Sequence, residues 1–238
     1  MDPRLNKVLI DNYHQHYAKV NRAFDAEHLR WYARYAEANL GHLIRGMPAE
    51  GGKVLDLGCG AGLLLSWLTT FPTITAVGLD GSPGQLAEAK KLSPSAELHD
   101  ADALTFLRER PQTFRGIVCS DFIEHLPDGM LFDVICAAHE ALLPGGFLWV
   151  RVPNAACLLG TYTRYMNLTH YQSFTSASLA ELLGAAGFQA EVPQEREVSW
   201  KAKVRRGLQD SLHRMVFRIC GSPRERVFTR NVIAIGRR

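Results

Sequence analysis

Residues 53–57, Lys-Val-Leu-Asp-Leu, form a short apolar run that stops at Gly58-Cys59-Gly60-Ala61-Gly62, and helical spacing resumes directly behind it. A strand that breaks into glycines and continues as a helix narrows the possible folds sharply. Glycine is required where φ turns positive or where backbone must come close to a ligand. The helix behind it presents unpaired N–H groups to a polar or anionic ligand group. The unit is the first half of a strand–helix–strand crossover, and such crossovers build parallel sheets covered by helices.

The rest of the chain repeats that alternation. Apolar runs at 74–79, 96–99, 115–119, 147–152, 188–192 and 227–235 are predicted strands. Helical spacing occupies 61–70, 83–91, 102–109, 129–142 and 177–186. Leu131, Val134, Ile135, Ala138 and Leu142 keep steps of three and four, and Pro144-Gly145-Gly146 is predicted to end that helix. Gly187 suits the C′ position of the last one. The fold class is α/β, with a Rossmann-like sheet across 51–238. Residues 1–50 are read as an N-terminal helical cap leaning on that sheet. Asp25 can cap a helix that puts Leu29, Tyr32, Ala36, Leu40, Leu43 and Ile44 on one face and ends at Gly46 and Pro48.

Composition agrees with a soluble globular chain: 238 residues, 47% hydrophobic and 21% charged. No apolar run approaches the roughly 18 residues of a membrane span. The polar N-terminus lacks the apolar core of a secretory signal. Five scattered cysteines without a CxxC read as free thiols, so a reducing, cytoplasmic setting is expected. The net charge of +3 is unevenly placed. Residues 194–238 hold 12 Lys/Arg against 4 Asp/Glu (+8), and the remainder 15 against 20 (−5). An anionic partner is therefore to be sought at the C-terminal end, and a nucleic acid bound by the main body is not favoured.

Acids follow the glycine turn in order. Asp56 lies inside the end of the preceding strand, and Asp80 closes the next one 24 residues on. A carboxylate there can accept from both hydroxyls of a ribose. Asp102 follows the third strand, where it can accept from an adenine amino group or cap the next helix. Together they describe an adenosine pocket at the C-terminal edge of an open sheet. The spacing is GxGxG rather than GxGxxG, and no GK[ST] accompanies it, so a P-loop nucleotidase is not the expected reading.

VLDLGCGAG (54–62), GLDGSPGQL (78–86), DADAL (100–104), VCSDFIEHLPDG (118–129) and LLPGGFLWVRVPN (142–154) resemble the ordered motifs of class I S-adenosylmethionine-dependent methyltransferases. The resemblance covers about 50–192 and implies strand order 3-2-1-4-5-7-6 with the last strand antiparallel. It implies that Asp56 belongs to the cofactor crevice and that Gly58, Gly60 and Gly62 wrap the methionine end. Asp80 would hold the ribose, and Gly81 and Ser82 would line the adenine. Asp102 and Ala103 would contact the adenine edge, and Ser120 would lie beneath the sulfonium. S-adenosylhomocysteine would be the product.

Methyl transfer to a hydroxyl needs a general base, and Asp121-Phe122-Ile123-Glu124-His125 follows the fourth strand, where the methyl should point. His125 and Asp121 are catalytic candidates there, although the same residues can simply brace the loop. The segment is similar to one in ubiquinone-biosynthesis O-methyltransferases. That resemblance implies a divalent ion on Asp121, Glu124 and His125, but a metal is not the favoured reading. His170, in NLTHYQSFT (167–175), is the other candidate base. Its surroundings resemble methyltransferases encoded with bacterial surface-polysaccharide genes. From this a sugar hydroxyl of a surface glycan, such as a lipopolysaccharide O-antigen, is the expected acceptor. A quinone or natural-product acceptor is the alternative, and a non-catalytic cofactor-binding module is a further one. No DPPY-type tetrapeptide marks a nucleic-acid enzyme, since this chain has SDFIEH there. Tyr13, Tyr17, Arg30 and Arg34 are candidates to close over the cofactor.

Residues 193–226 exceed the tight hairpin of the family core. Val204, Leu208, Leu212, Met215 and Ile219 mark one helical face, with Trp200 at its start and Lys201, Lys203, Arg205, Arg206, Arg214 and Arg218 around the rest. The simpler expectation packs the apolar face on the sheet edge with the charges in water. The other is peripheral contact through 200–219 with the inner face of an anionic membrane.

Overall fold

The computed structural model describes residues 8, 26–221 and 225–238. Tyr13, Tyr17 and the capping Asp25 lie outside the described residues. A helix α1 (Ala26–Arg45) leads into β1 (Gly52–Leu57), α2 (Leu63–Leu68), β2 (Ile74–Leu79), α3 (Pro83–Leu92) and β3 (Glu97–His99). Next come α4 (Ala103–Arg108), β4 (Phe114–Ser120), a 3-10 turn (Ile123–His125), α5 (Asp128–Ala141) and β5 (Leu142–Pro153). The chain ends with α6 (Gly160–Tyr165), α7 (Ser176–Ala185), β6 (Gln189–Glu191), α8 (Trp200–Ile219) and β7 (Asn231–Arg237). The strands form one sheet of order β3-β2-β1-β4-β5-β7-β6, the order implied by the family resemblance. Strands β1 to β5 pair in parallel, and β7 runs antiparallel between β5 and β6.

Successive residues of a strand face opposite sides, and both sides here are covered. On one side Leu55, Leu57, Ile117, Leu148 and Val150 join Phe106, Val134 and Leu183 from the helices. On the other Val54, Val118, Phe147, Trp149 and Ile233 pack against Leu40 and Leu43 of α1 and Leu64 and Trp67 of α2. The apolar stripe expected on α1 is therefore the face it buries, through Ala36, Leu40, Leu43 and Ile44.

Three local expectations change. Helix α5 ends at Ala141, and Pro144-Gly145-Gly146 lies inside β5 rather than in a breaker. Gly145 takes φ 74° where the β4–β5 register shifts, and the segment is held by Arg238, which donates to Gly146 O and accepts from Gly145 N. A short helix, α6, occupies part of what reads as a long loop. Strand β7 starts at Asn231 rather than 227 because a side chain takes the carbonyls before it. Asn154 Nδ2 donates to Val227 O at 2.7 Å and Thr229 O at 2.9 Å, while its Oδ1 accepts from Ala156 N at 2.9 Å.

Asn154 is fully buried. Asn154→Ala leaves three buried backbone groups without that partner and is expected to destabilise the fold by about 2–4 kcal/mol. Asn154→Asp, which loses both donors and adds a charge, should be at least as damaging; urea-unfolding midpoints check both.

Candidate active site

Parallel pairing sets the crevice. Leu57 of β1 lies beside Leu79 of β2, so the glycine turn and Asp80 leave the sheet as neighbours despite the intervening helix. Gly60 turns with φ 50°, and its N–H donates to Asp80 Oδ2 at 2.9 Å. Ser82 N–H donates to Oδ1, also at 2.9 Å. Each carboxylate oxygen keeps lone-pair capacity beyond these bonds, which suits a vicinal diol. Gly58 takes φ 81°, and a Cβ there would lie 2.5 Å from the Phe122 ring. That close approach seats Phe122, just past β4, directly on the glycine turn.

The other crevice residues have distinct environments. Gly81 is exposed with open space around it, and Ser82 opens α3. Asp102 caps α4, accepting from Thr105 N at 2.9 Å and Thr105 Oγ1 at 3.0 Å, with Ala103 half-buried behind it. Asp56 is buried, and burial, with a smaller contribution from the Asp80 charge, pushes its carboxyl up to about 8. Cys59 is buried with its thiol pushed up, chiefly by desolvation, so it packs rather than reacts.

Beyond β4 a half-buried cation organises the rim. Arg151, on β5, donates through Nη1 to Asp121 at 2.5 Å and Ser120 Oγ at 3.2 Å, and through Nε to Glu195 at 3.2 Å. Tyr35 of α1 donates its hydroxyl to the same Glu195 at 2.6 Å. Asp121, Arg151, Glu195 and Tyr35 thus connect four separate segments. Sequence reasoning missed three of these residues. The available signal was an arginine inside an otherwise apolar strand, LWVRV. Arg30 and Arg34 are exposed on α1, and the cation held against a rim carboxylate is Arg151.

The two candidate bases meet. The His125 and His170 rings have centroids 4.7 Å apart at 69°. Thr169 Oγ1 donates its one proton to Asn167 Oδ1 at 2.8 Å, so it accepts from His125 Nδ1 at 2.8 Å. His170 Nδ1 lies 3.1 Å from Thr163 O, which only accepts. Both rings are therefore protonated on Nδ1 and basic at Nε2. Burial, with Arg164 nearby, lowers the His170 pKa despite its bond to Thr163. Glu124 is buried with neither carboxylate oxygen hydrogen-bonded, and burial followed by the Asp121 charge raises its pKa well above the ordinary range. Its carbonyl accepts from Tyr171 N and Gln172 N at 2.7 and 3.2 Å, which docks the 166–175 loop over the rim.

The implied metal set of Asp121, Glu124 and His125 is not assembled. Asp121 turns to Arg151, whereas Glu124, His125 and His170 bring one ligand-capable atom each within 4.8 Å of the others. Two imidazoles, together with the Glu124 carboxylate whose oxygens have no hydrogen-bond partner, fit a divalent ion of the zinc or iron type.

A family model described as a methyltransferase domain matches residues 13–191. The ubiquinone biosynthesis O-methyltransferase of Xylella fastidiosa is 32% identical over 181 residues, covering 70% of this chain and 73% of that protein. Its namesake in Pseudomonas syringae pv. tomato is 30% identical over 153 residues, covering 58% of this chain. The chain spans 65% of the length of that relative. In fold, a SAM-dependent methyltransferase from Archaeoglobus fulgidus superposes with a TM-score of 0.66 at 18% identity, covering 86% of this chain and 92% of that one.

Asp80→Ala is expected to weaken S-adenosylmethionine binding at least about tenfold, or ~1.4 kcal/mol, by calorimetry. Asp56 gives a separate signature. Its folded pKa lies above the unfolded value, so its stabilising effect is full below about pH 4 and is lost as pH rises through about 8. Asp56→Asn should flatten that decline in Tm across the same window.

Proposed function

The chain belongs to the methyltransferase domain family, and from that premise we propose that it is an S-adenosylmethionine-dependent O-methyltransferase acting on a hydroxyl of a small aromatic, quinone-type acceptor. The observation that carries the reading is the His125–His170 pair on the rim beside the Asp80 crevice. The relatives named for ubiquinone biosynthesis support the aromatic acceptor. Neither they nor the family model lends support to a surface-glycan sugar.

The chemistry is an in-line displacement. The acceptor oxygen forms a bond to the methyl carbon, and the carbon–sulfur bond breaks with its electron pair staying on sulfur. The sulfonium becomes the neutral thioether of S-adenosylhomocysteine, and the hydroxyl proton passes to His170 Nε2. The cation on sulfur already activates the methyl, so the protein must align the partners and exclude water. A phenol, with a pKa near 10, can be relieved of its proton by a mild base; a sugar hydroxyl is a much weaker acid. His170 suits that base, because burial keeps it neutral near pH 7 and Thr163 O fixes its orientation. His125, tied to Thr169, braces the neighbouring ring. Arg151 holds Asp121 and Ser120 in place beneath the methyl position. Were a divalent ion held by Glu124, His125 and His170, it would supply Lewis-acid polarisation of the acceptor oxygen in place of proton transfer to His170.

Label from methyl-radiolabelled S-adenosylmethionine is expected on a catechol probe. Transfer to a cell-envelope glycan extract alone would overturn the aromatic assignment, and binding without transfer to either would overturn the enzyme. His170→Ala should lower kcat about 100-fold with cofactor affinity unchanged. In wild type kcat should fall only as pH drops through the lowered His170 pKa, so its acid limb lies below the ordinary histidine value.

A further inference from the structure

Helix α8 carries its apolar stripe outward. Trp200, Val204, Leu208, Leu212, Met215 and Ile219 are all exposed, by 48–77%. At 3.6 residues per turn they cover about a third of the circumference. The opposite side holds the helix to the protein. There His213 is buried, its Nε2 accepts from Leu158 N at 2.9 Å, and its ring stacks on Phe228 at 5.3 Å. Phe217 meets the same ring edge-on at 4.9 Å, and Arg206 reaches Gln194 at 3.1 Å. The helix is thus anchored by its other face, and the expectation that the apolar face packs on the sheet edge is overturned.

An apolar stripe of this length in water marks an interaction surface. Its border identifies the occupant. Lys201, Lys203, Arg205, Arg214 and Arg218 are exposed around the stripe. Asp210 is the one acid of the helix, and it faces Arg206 at 3.7 Å. Two copies meeting stripe to stripe would set these cations against one another, whereas an anionic lipid surface complements them. No helix among the described residues is long and apolar enough to cross a membrane. A basic amphipathic helix of this kind lies in the headgroup plane, and a tryptophan at its end suits that depth.

We propose that α8 docks the protein on an anionic phospholipid surface. The contact extends to the loop over the rim. The His213–Leu158 bond joins α8 to a second exposed apolar patch, with Leu159, Tyr162, Met166 and Leu168 each more than half exposed. That segment continues into Thr169 and His170. Docking therefore sets the mouth of the rim against the bilayer, where an apolar acceptor is concentrated. This last step rests on the proposed function; the docking does not.

Sedimentation of the full chain with vesicles tests the docking. Wild type is expected to bind phosphatidylcholine vesicles containing phosphatidylglycerol at low salt, and far less to pure phosphatidylcholine. Leu208→Glu with Leu212→Glu should cut partitioning at least tenfold, as should Lys201→Glu with Arg205→Glu. Both variants should retain wild-type methyl transfer to a water-soluble catechol, which separates failure of docking from failure of the catalytic reading. Absence of wild-type binding to the anionic vesicles would overturn the proposal. So would stripe variants that bind like wild type, or a concentration-dependent dimer dispersed by Leu208→Glu that forms in place of vesicle binding.

Discussion

The carboxylate of Asp80 is the point on which the crevice depends. It accepts from the N–H groups of Gly60 and Ser82, so one side chain ties the turn after β1 to the start of α3. That tie is possible because β1 and β2 run parallel and in register, ending side by side at Leu57 and Leu79. The crossover helix between them is hidden on one face of the sheet, and both chain ends emerge at the same edge. That edge therefore presents a prearranged carboxylate beside the backbone of the glycine turn. Asp56, buried a short distance below, adds a carboxyl that holds its proton until about pH 8.

The rim is organised differently, by charge inside the protein. A guanidinium drawn partly out of water is costly unless its donors are satisfied, and half-buried Arg151 meets Asp121, Ser120 and Glu195 at once. Glu195 comes from the segment after β6, and Tyr35, which bonds it, from α1. The additions at both ends of the sheet domain therefore converge on the strand that carries the rim. Asp121 is taken up by this network, and Glu124, His125 and His170 are left to face one another.

Energetics separates the two halves of the molecule. The sheet core buries its large side chains almost completely, Trp149, Phe147 and Phe114 among them. The α6 and α8 region instead leaves its large apolar groups in water and is fixed by a few bonds through His213 and Arg206. Such a surface makes little contribution to the fold's own stability. Its apolar area is available to a partner, and the cations beside it restrict which partner that is.

Much of the crevice was legible in the chain alone. A glycine turn after an apolar run, an acid 24 residues on and Asp102 before a helical run are local features, and backbone sterics and capping act between near neighbours in sequence. The alternation of periods likewise sufficed for a parallel α/β sheet, and the ordered motifs carried the strand order. The approach of His125 to His170, across 45 positions, and the convergence of Arg151, Glu195 and Tyr35 were decided only by folding. Such meetings depend on how loops pack, which no periodicity encodes. For α8 the spacing of residues determined that an apolar stripe exists. Which way it faces was settled by His213 and Phe217, whose contacts with Phe228 turn the stripe away from the protein.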